Sequence, residues 1–212
     1  MKKLSIALLC LLLVGICACR QDELPGVTTE RPTTTSASAI VELDPGEFAA
    51  YSEVIKDYQA QLVDNEYLLA QDYAFCNIEG TNLLLLGIEN FYIGSLFDSV
   101  YAIQNGVAAR QEEFRAPQLG HDLITTLFKN GTIRSDVDDA GARNYCYHRM
   151  KNGELKFQTV VVDEGNCWFG FIDDKRTPIS KEEFDRVRKE FEGDGQTVEL
   201  DWKPLAGYGG LS

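Results

Sequence analysis

Positively charged residues are scarce in this chain of 212 residues. It contains 20 Lys and Arg against 33 Asp and Glu, which gives a formal net charge of −13 at pH 7. Proteins that bind nucleic acid place Lys and Arg along the phosphates, and anionic lipid surfaces attract polybasic segments. The deficit therefore argues against nucleic acid as a partner and against electrostatic docking on an anionic membrane.

Histidine and cysteine are also too sparse for the sites that they usually build. The chain has two His, His121 and His148, and no close His/Cys cluster, so a zinc site lacks its ligands. Six Cys are too few and too scattered for a disulfide scaffold. The motifs G-x-S-x-G, G-x-x-x-x-G-K and H-E-x-x-H do not occur. The sequence predicts no catalytic residue, no metal and no cofactor, and we do not expect an enzyme.

The N-terminal apolar run is short for a membrane-spanning helix. Leu4–Ile16 comprises thirteen residues without a charge and follows the basic start Met1-Lys2-Lys3. A spanning helix needs about 20 apolar residues, whereas the apolar region of a secretory signal has about 7–15. The run therefore predicts a secretory signal.

The segment after this run resembles the bacterial lipobox, which consists of an aliphatic residue, a variable residue, Ala or Gly, and then Cys. Here it reads Ile16-Cys17-Ala18-Cys19, in which Cys17 is an uncommon residue for the box. The resemblance implies cleavage after residue 18 and a diacylglyceryl group on Cys19. It thus implies a membrane lipoprotein that faces the extracytoplasmic side. The alternative is an ordinary secretory signal that is cut near the same place.

The residues after Cys19 have the composition of a tether. Arg20–Asp44 contains Pro25, Pro32 and five Thr, and it shows no apolar periodicity. Such a segment buries little surface and is expected to stay extended or disordered. It either holds the folded part away from the membrane or is a terminus without consequence. We predict a signal peptide at 1–18, a lipidated Cys and tether at 19–44, one domain at 45–205 and a tail at 206–212.

Two amphipathic helices are predicted at the ends of the domain. Asp44 can cap the first helix, with Pro45 in the first helical position and Glu47 completing a capping box. Its apolar stripe consists of Phe48, Tyr51, Ile55, Tyr58 and Leu62. The second helix starts at Ser180 with Glu183 at the box position and ends at Gly193. Its apolar residues are Phe184, Val187 and Phe191.

Between the helices the pattern changes to strands and tight turns. Asn-Gly, which suits a type I′ hairpin turn, occurs at 105–106, 130–131 and 152–153. These turns pair Ser99–Gln104 with Val107–Phe114, Leu123–Lys129 with Thr132–Val137, and Asn144–Lys151 with Glu154–Asp163. Further strands are predicted at Tyr73–Ile78, Leu83–Ile88, Cys167–Ile172 and the alternating segment Val198–Trp202. The fold class is α+β, an antiparallel β-meander built from hairpins with both helices packed on one face of the sheet.

The segment Tyr73–Asn82, which reads YAFCNIEGTN, resembles a Y-A-L-x-D-I-D-G-D-G segment of uncharacterised lipoproteins from Gram-positive anaerobes. The resemblance covers most of Phe48–Leu205 through short motifs in a fixed order. These motifs are Val100–Gly106, Leu127–Gly131, Ile179–Phe184 and Leu200–Leu205. The family has no established biochemical activity, so the resemblance implies none here.

In that family the acidic segment looks like a calcium loop. The corresponding positions here are Asn77, Glu79 and Thr81, and Leu85 stands where the family often has an acid. Calcium takes 6–8 oxygen ligands, and Glu79 is the one carboxylate left in this set. We therefore expect a hairpin turn that has lost its metal, with weak calcium binding at best.

Three other groups of residues are weak candidates for a functional site. Cys146 and His148 lie two apart on a predicted strand and share a face, as a thiolate–imidazole nucleophile requires, although a packed thiol beside a polar residue is the more common reading. The acidic runs are Asp136, Asp138 and Asp139, Asp163-Glu164, and Asp173-Asp174. The aromatic residues of the later strands, which fill a core or stack on a sugar or partner, are Tyr145, Tyr147, Trp168, Phe169 and Phe171.

These observations favour a membrane-anchored extracytoplasmic lipoprotein that acts as a non-catalytic binding module for an unknown protein or glycan. The alternatives are an extracytoplasmic hydrolase, with carboxylates or Cys146 and His148 as reactive groups, and a degenerate calcium-binding surface domain. A structural spacer is a third class. Once Cys19 is lipidated, Cys76, Cys146 and Cys167 remain, either as one disulfide and one free thiol or as three buried thiols.

Overall fold

The computed structural model describes residues 36–64, 70–90, 94–114, 124–139, 141–172 and 175–209. The predicted signal peptide, Cys19, most of the tether and His121 lie outside these residues. The helices are α1 (Pro45–Asp64), α2 (Lys181–Glu192) and a 3-10 turn (Leu205–Gly207). The strands are β1 (Ala37–Ser38), β2 (Asp72–Ile78), β3 (Thr81–Asn90), β4 (Gly94–Gln104), β5 (Val107–Arg110), β6 (Ile124–Leu127), β7 (Ile133–Asp139), β8 (Ala142–Lys151), β9 (Glu154–Asp163), β10 (Trp168–Ile172), β11 (Lys175–Ile179) and β12 (Lys203–Pro204).

The strands form two antiparallel sheets of six strands each. The first sheet has the order β1-β2-β3-β4-β5, and β12 also pairs with β2. The second sheet has the order β11-β10-β9-β8-β7-β6, in which each strand lies beside its neighbour in the chain. The prediction of an α+β fold built from consecutive antiparallel hairpins is therefore confirmed.

The two sheets stack face to face, and each carries one helix on its outer face. Cys76, Leu83 and Val100 of the first sheet meet Ile133 and Leu155 of the second in a central core. A second core lies between α1 and the first sheet, and a third lies between α2 and the second sheet. The expectation that both helices cover one face of a single sheet is thus wrong, because the meander divides into two layers.

Strand β3 shows why two layers form. Leu83, Leu84, Leu85 and Leu86 are consecutive and all fully buried. Successive side chains of a strand point to opposite faces, so Leu83 and Leu85 enter the central core while Leu84 and Leu86 pack against α1. A continuous apolar run of this kind marks a strand that is covered on both faces.

Helix α1 begins with the predicted capping box. The Asp44 carboxylate accepts hydrogen bonds from the backbone N–H of Gly46 (2.7 Å) and Glu47 (2.9 Å), and the Glu47 carboxylate accepts one from the Asp44 N–H (3.2 Å). Tyr51 donates a hydrogen bond to the Asn82 carbonyl oxygen (2.6 Å), which joins the helix to β3.

Helix α2 also has its predicted limits. The Ser180 hydroxyl accepts a hydrogen bond from the Glu183 N–H (3.1 Å), and Gly193 follows the last helical residue. The predicted apolar residues Phe184, Val187 and Phe191 are buried against the second sheet.

Two of the three Asn-Gly turns have the predicted form. Asn105 and Asn152 have φ values of 52° and 55° and connect strands through two-residue turns. Asn130 is different, because Leu127 pairs with Ile133 across a five-residue connection. Its side-chain amide donates to the Phe191 carbonyl oxygen at the end of α2 (2.8 Å) and accepts from the Thr132 N–H (3.1 Å). Asn130 therefore links a turn to a helix end, which its local sequence did not predict.

The alternating segment Val198–Trp202 is not a strand. It crosses from β6, where the Val198 N–H donates to the Leu127 carbonyl oxygen (2.8 Å), to β2, where Lys203 pairs with Tyr73. Val198, Leu200 and Trp202 still pack into the central core. The alternation thus predicted correctly which side chains of this segment are buried. The segment does not form the predicted strand because it passes from one sheet to the other.

Gly87 lies at an irregularity of the β3–β4 pair, where the backbone of β4 passes close to it. The pairing register shifts there, and a Cβ built on Gly87 would lie 2.0 Å from the Leu96 carbonyl oxygen. We expect Gly87→Ala to lower the free energy of unfolding by about 3 kcal/mol, the upper end for forced overpacking. Urea denaturation measures this, with Gly209→Ala as control because its added Cβ meets no atom within 4 Å. Equal stabilities of the two variants would contradict the prediction.

Candidate functional site

The calcium-like segment is a two-residue hairpin turn between β2 and β3. Glu79 and Gly80 have φ values of 52° and 81°, and Ile78 pairs with Thr81. The side-chain oxygen of Asn77 accepts a hydrogen bond from the Gly80 N–H (3.0 Å). The predicted turn is confirmed. Asn77, one of the candidate calcium ligands, uses its side-chain oxygen to stabilise this turn. No group of three or more His, Cys, Asp or Glu side chains that suits a metal ion occurs in the described part of the chain.

Asn82, which occupies a Gly position of the resembling family, has a structural role. Its side-chain nitrogen donates to the Glu42 carbonyl oxygen (3.0 Å) and to the Glu47 carboxylate (2.9 Å). Its side-chain oxygen accepts a hydrogen bond from Asn77 (2.7 Å). The two Asn side chains therefore hold the start of α1 against the β2–β3 turn.

Cys146 and His148 share the inner face of β8, as predicted, but His148 lies deep in the core. None of its surface is exposed, and its ring lies 5.2 Å from the Phe114 ring and 5.7 Å from the Phe157 ring, measured between centroids. Cys146 is half-buried and pairs across the strands with Ser135. A substrate would have to displace packed aromatic rings to reach the imidazole.

The three domain cysteines form no disulfide among the described residues, and they differ in exposure. Cys76 is fully buried, Cys146 is half-buried and Cys167 is exposed. Neither arrangement considered from the sequence is therefore present in the structure. Burial raises the pKa of the Cys76 thiol to about 12, so this side chain stays protonated at neutral pH.

The difference in exposure among Cys76, Cys146 and Cys167 predicts the order in which they are alkylated. Iodoacetamide at neutral pH should modify Cys167 first and leave Cys76 unmodified until the protein unfolds, because the thiolate is the reactive species and needs access to solvent. Peptide mass spectrometry after timed labelling, with and without denaturant, checks this order. Early labelling of Cys76 in the native protein would contradict the described core.

A cluster of charged and hydroxyl side chains, the Glu192 network, joins α2 to the second sheet. It consists of Arg134, Asp136, Tyr147, Arg188 and Glu192. The Glu192 carboxylate accepts hydrogen bonds from Arg134 (2.9 Å), Tyr147 (2.7 Å) and Arg188 (2.9 and 3.0 Å). Arg134 also contacts Asp136 through two nitrogens (2.6 and 3.0 Å). The charged groups of the network are paired with one another, so its role is to hold α2 on the second sheet.

The pKa values of the two carboxylates of the network shift in opposite directions, although burial acts to raise both. Burial alone would raise the pKa of Glu192, but hydrogen bonds from Arg188 and Tyr147 and the Arg134 charge lower it overall. Burial raises the pKa of Asp136, and Arg134 offsets only part of that effect. Glu192 therefore stabilises the fold when ionised, whereas ionised Asp136 is costly.

We expect Glu192→Gln to lower the free energy of unfolding by about 3 kcal/mol at neutral pH, because it removes the carboxylate charge that Arg188 contacts and one of the two that Arg134 contacts. A lowered folded-state pKa means that the Glu192 charge stabilises the fold above the ordinary carboxyl range, and that this is lost as the pH falls through the lowered value. The difference from the unmodified protein should therefore narrow in acid, as measured by urea denaturation across pH.

The control for this measurement is Glu190→Gln on the same helix. Glu190 makes a more exposed pair with Arg186 (3.3 Å), for which we expect a change below about 1 kcal/mol. A difference that stays constant from neutral to acid pH would show that Glu192 acts by shape and not by charge.

The predicted aromatic residues divide between the two faces of the second sheet. Tyr145, Tyr147 and Trp168 pack on the α2 side. Phe169 pairs with Val162 and therefore points to the opposite face, as does Phe171 two residues later. Phe169 is half-buried, and Phe171 has 39% of its surface exposed.

Phe169, Phe171, Arg176 and Pro178 lie side by side on this face and are called the aromatic platform. Phe169 pairs with Pro178 and Phe171 with Arg176 across β10 and β11. The Arg176 guanidinium lies 4.0 Å from the Phe169 ring centroid and forms an ion pair with Glu164. No residue of β10 or β11 belongs to the central core. This platform is the solvent-side aromatic cluster that the sequence left undecided.

The acidic runs serve separate roles. Asp136 belongs to the Glu192 network, the Asp163 carboxylate accepts a hydrogen bond from the Gly165 N–H (2.7 Å), and Glu164 pairs with Arg176. Asp173 and Asp174 and the side chains of Asp138 and Asp139 lie outside the described residues. The described carboxylates thus do not converge on one site.

Comparisons with protein-family models, with curated proteins and with solved structures found no match to this chain. Within the described residues, neither helix combines the length and apolarity that a bilayer span requires. The lipobox and the resemblance to uncharacterised lipoproteins therefore stay predictions.

Proposed function

We propose that this protein is a membrane-anchored extracytoplasmic lipoprotein whose domain binds a partner and performs no catalysis. The observation that carries the proposal is the sequence Ile16-Cys17-Ala18-Cys19, which directly follows the thirteen-residue uncharged run. In this arrangement acyl chains on Cys19 hold the protein in the outer leaflet, and the domain projects from the membrane.

The geometry of the domain fits display on a tether. The described chain begins at Ser36, where the Ala37 N–H donates to the Lys129 carbonyl oxygen (2.8 Å) at the β6–β7 turn. Sixteen residues, 20–35, separate Cys19 from this point and span at most about 55 Å when extended. That reach exceeds the diameter of a small domain, about 30 Å, so a domain anchored at Cys19 does not have to lie against the bilayer.

The aromatic platform supports binding, and it lies away from the tether. The tether joins the fold beside the row of residues that includes Ile133, His148 and Phe157. Val162, which pairs with Phe169, is five residues further along β9, or about 15 Å. The platform therefore lies toward the end of the second sheet away from the point where the described chain begins.

The position of His148 supports binding over hydrolysis. Its imidazole is enclosed by Phe114 and Phe157, whereas a general base has to reach the proton that it removes. The aromatic platform instead presents the exposed ring of Phe171 beside the Arg176–Glu164 ion pair. These features favour recognition of a partner over covalent chemistry.

The anchor is tested by Cys19→Ala. We expect the variant to move from the membrane fraction to the medium, because no acyl chain then attaches to the mature chain. Immunoblotting of membrane and medium fractions measures the shift, and intact-mass spectrometry of the native protein detects the added lipid. Cys17→Ala is the matched control and should stay in the membrane. An unchanged membrane fraction for Cys19→Ala would contradict lipidation at this residue.

A further inference from the structure

We infer that the aromatic platform binds the sugar rings of a neutral glycan. This inference rests on the proposed binding function and names the class of ligand. The platform exposes 39% of the surface of Phe171, and the Arg176 guanidinium lies 4.0 Å from the centroid of the neighbouring Phe169 ring. Aromatic faces pack against apolar surfaces, and the C–H faces of a sugar ring are such a surface.

The ion pair at the edge of the platform suits hydroxyl groups. Arg176 supplies N–H donors, and Glu164 supplies carboxylate acceptors beside it. A hydroxyl group both donates and accepts hydrogen bonds, so adjacent sugar hydroxyls find a donor and an acceptor together. An apolar peptide would leave this pair unused.

Charge argues against ionised ligands of either sign. A polyanion meets a chain of net charge −13 and the Glu164 carboxylate. A cation has to approach the Arg176 guanidinium, which already occupies the face of Phe169. A neutral ligand avoids both costs, since the Arg176–Glu164 pair has no net charge.

The edge of the sheet argues against an added peptide strand. Pro178 lies in β11, the outermost strand of the second sheet, and has no backbone N–H. Pro occurs in a sheet where the N–H side of an edge strand faces solvent. At such a position Pro178 leaves the free edge without one backbone N–H donor. β-Strand addition depends on main-chain hydrogen bonds, so the face of the sheet is the better binding surface.

The test uses the full mature chain in detergent on an array of neutral, acidic and basic glycans. We expect binding to neutral glycans, weakened about tenfold in Phe171→Ala because one stacking ring is lost. Phe171→Tyr should keep the affinity. Val107→Ala is the matched control, because Val107 is a 62% exposed apolar residue on the first sheet, and it should bind as the unmodified protein does.

Binding only to charged glycans, no glycan binding, or binding that Phe171→Ala leaves unchanged would each overturn the inference. A photo-crosslinker at position 171 separates this failure from failure of the proposed function. Capture of a polypeptide at that position would refute the glycan as the ligand, but it would agree with the proposed binding function. Retention of Cys19→Ala in the membrane would refute the anchor without bearing on the platform.

Discussion

Burial of the strands on both faces is the constraint on which the rest of the structure depends. The inner face of the first sheet packs on the second sheet, and its outer face packs on α1. Leu83 to Leu86 meet this requirement in a single strand, since all four are fully buried. Apolar surface removed from water is the main favourable contribution to folding. The four layers of helix, sheet, sheet and helix follow from it.

Polar interactions then set the positions of the layers that the apolar cores bring together. Asn82 connects the start of α1 to the first sheet, and Asn130 connects the end of α2 to the second. The Glu192 network adds buried charges that are satisfied among themselves. Hydrogen-bonded networks of this kind rigidify a structure when every member has a partner. On the inner face of the second sheet, His148 is buried in the core, whereas Phe171 at the β10–β11 edge is exposed.

Local chemistry was predictable wherever neighbours in the chain decide the outcome. The capping boxes at Asp44 and Ser180 and the turns at Asn105 and Asn152 depend on residues at most three apart. Asn130 has the same dipeptide and a different geometry, because its amide contacts a helix that follows sixty residues later. The segment Val198–Trp202 likewise keeps its alternation but not its ladder, because its neighbours belong to two different sheets.

The candidate site shows the same division. The sequence supplied the aromatic residues and the Cys146–His148 pair, but it could not place them relative to solvent. Pairing of Phe169 with Val162 and of Phe171 with Arg176 turns two of five aromatic side chains away from α2. His148 reaches full burial because Phe114, from another part of the chain, covers it. Contacts between residues so distant in sequence leave no local signal.

The sequence by itself determined the helix limits, most hairpins and the acidic charge, and it predicts a lipid anchor at Cys19, since the helix limits, the hairpins and the anchor each depend on a short stretch of residues. The tertiary structure decided that the meander forms two stacked sheets, that each helix covers a different one, and which side chains remain at the surface. These outcomes follow from the packing of distant apolar faces, where the area removed from water depends on the whole arrangement.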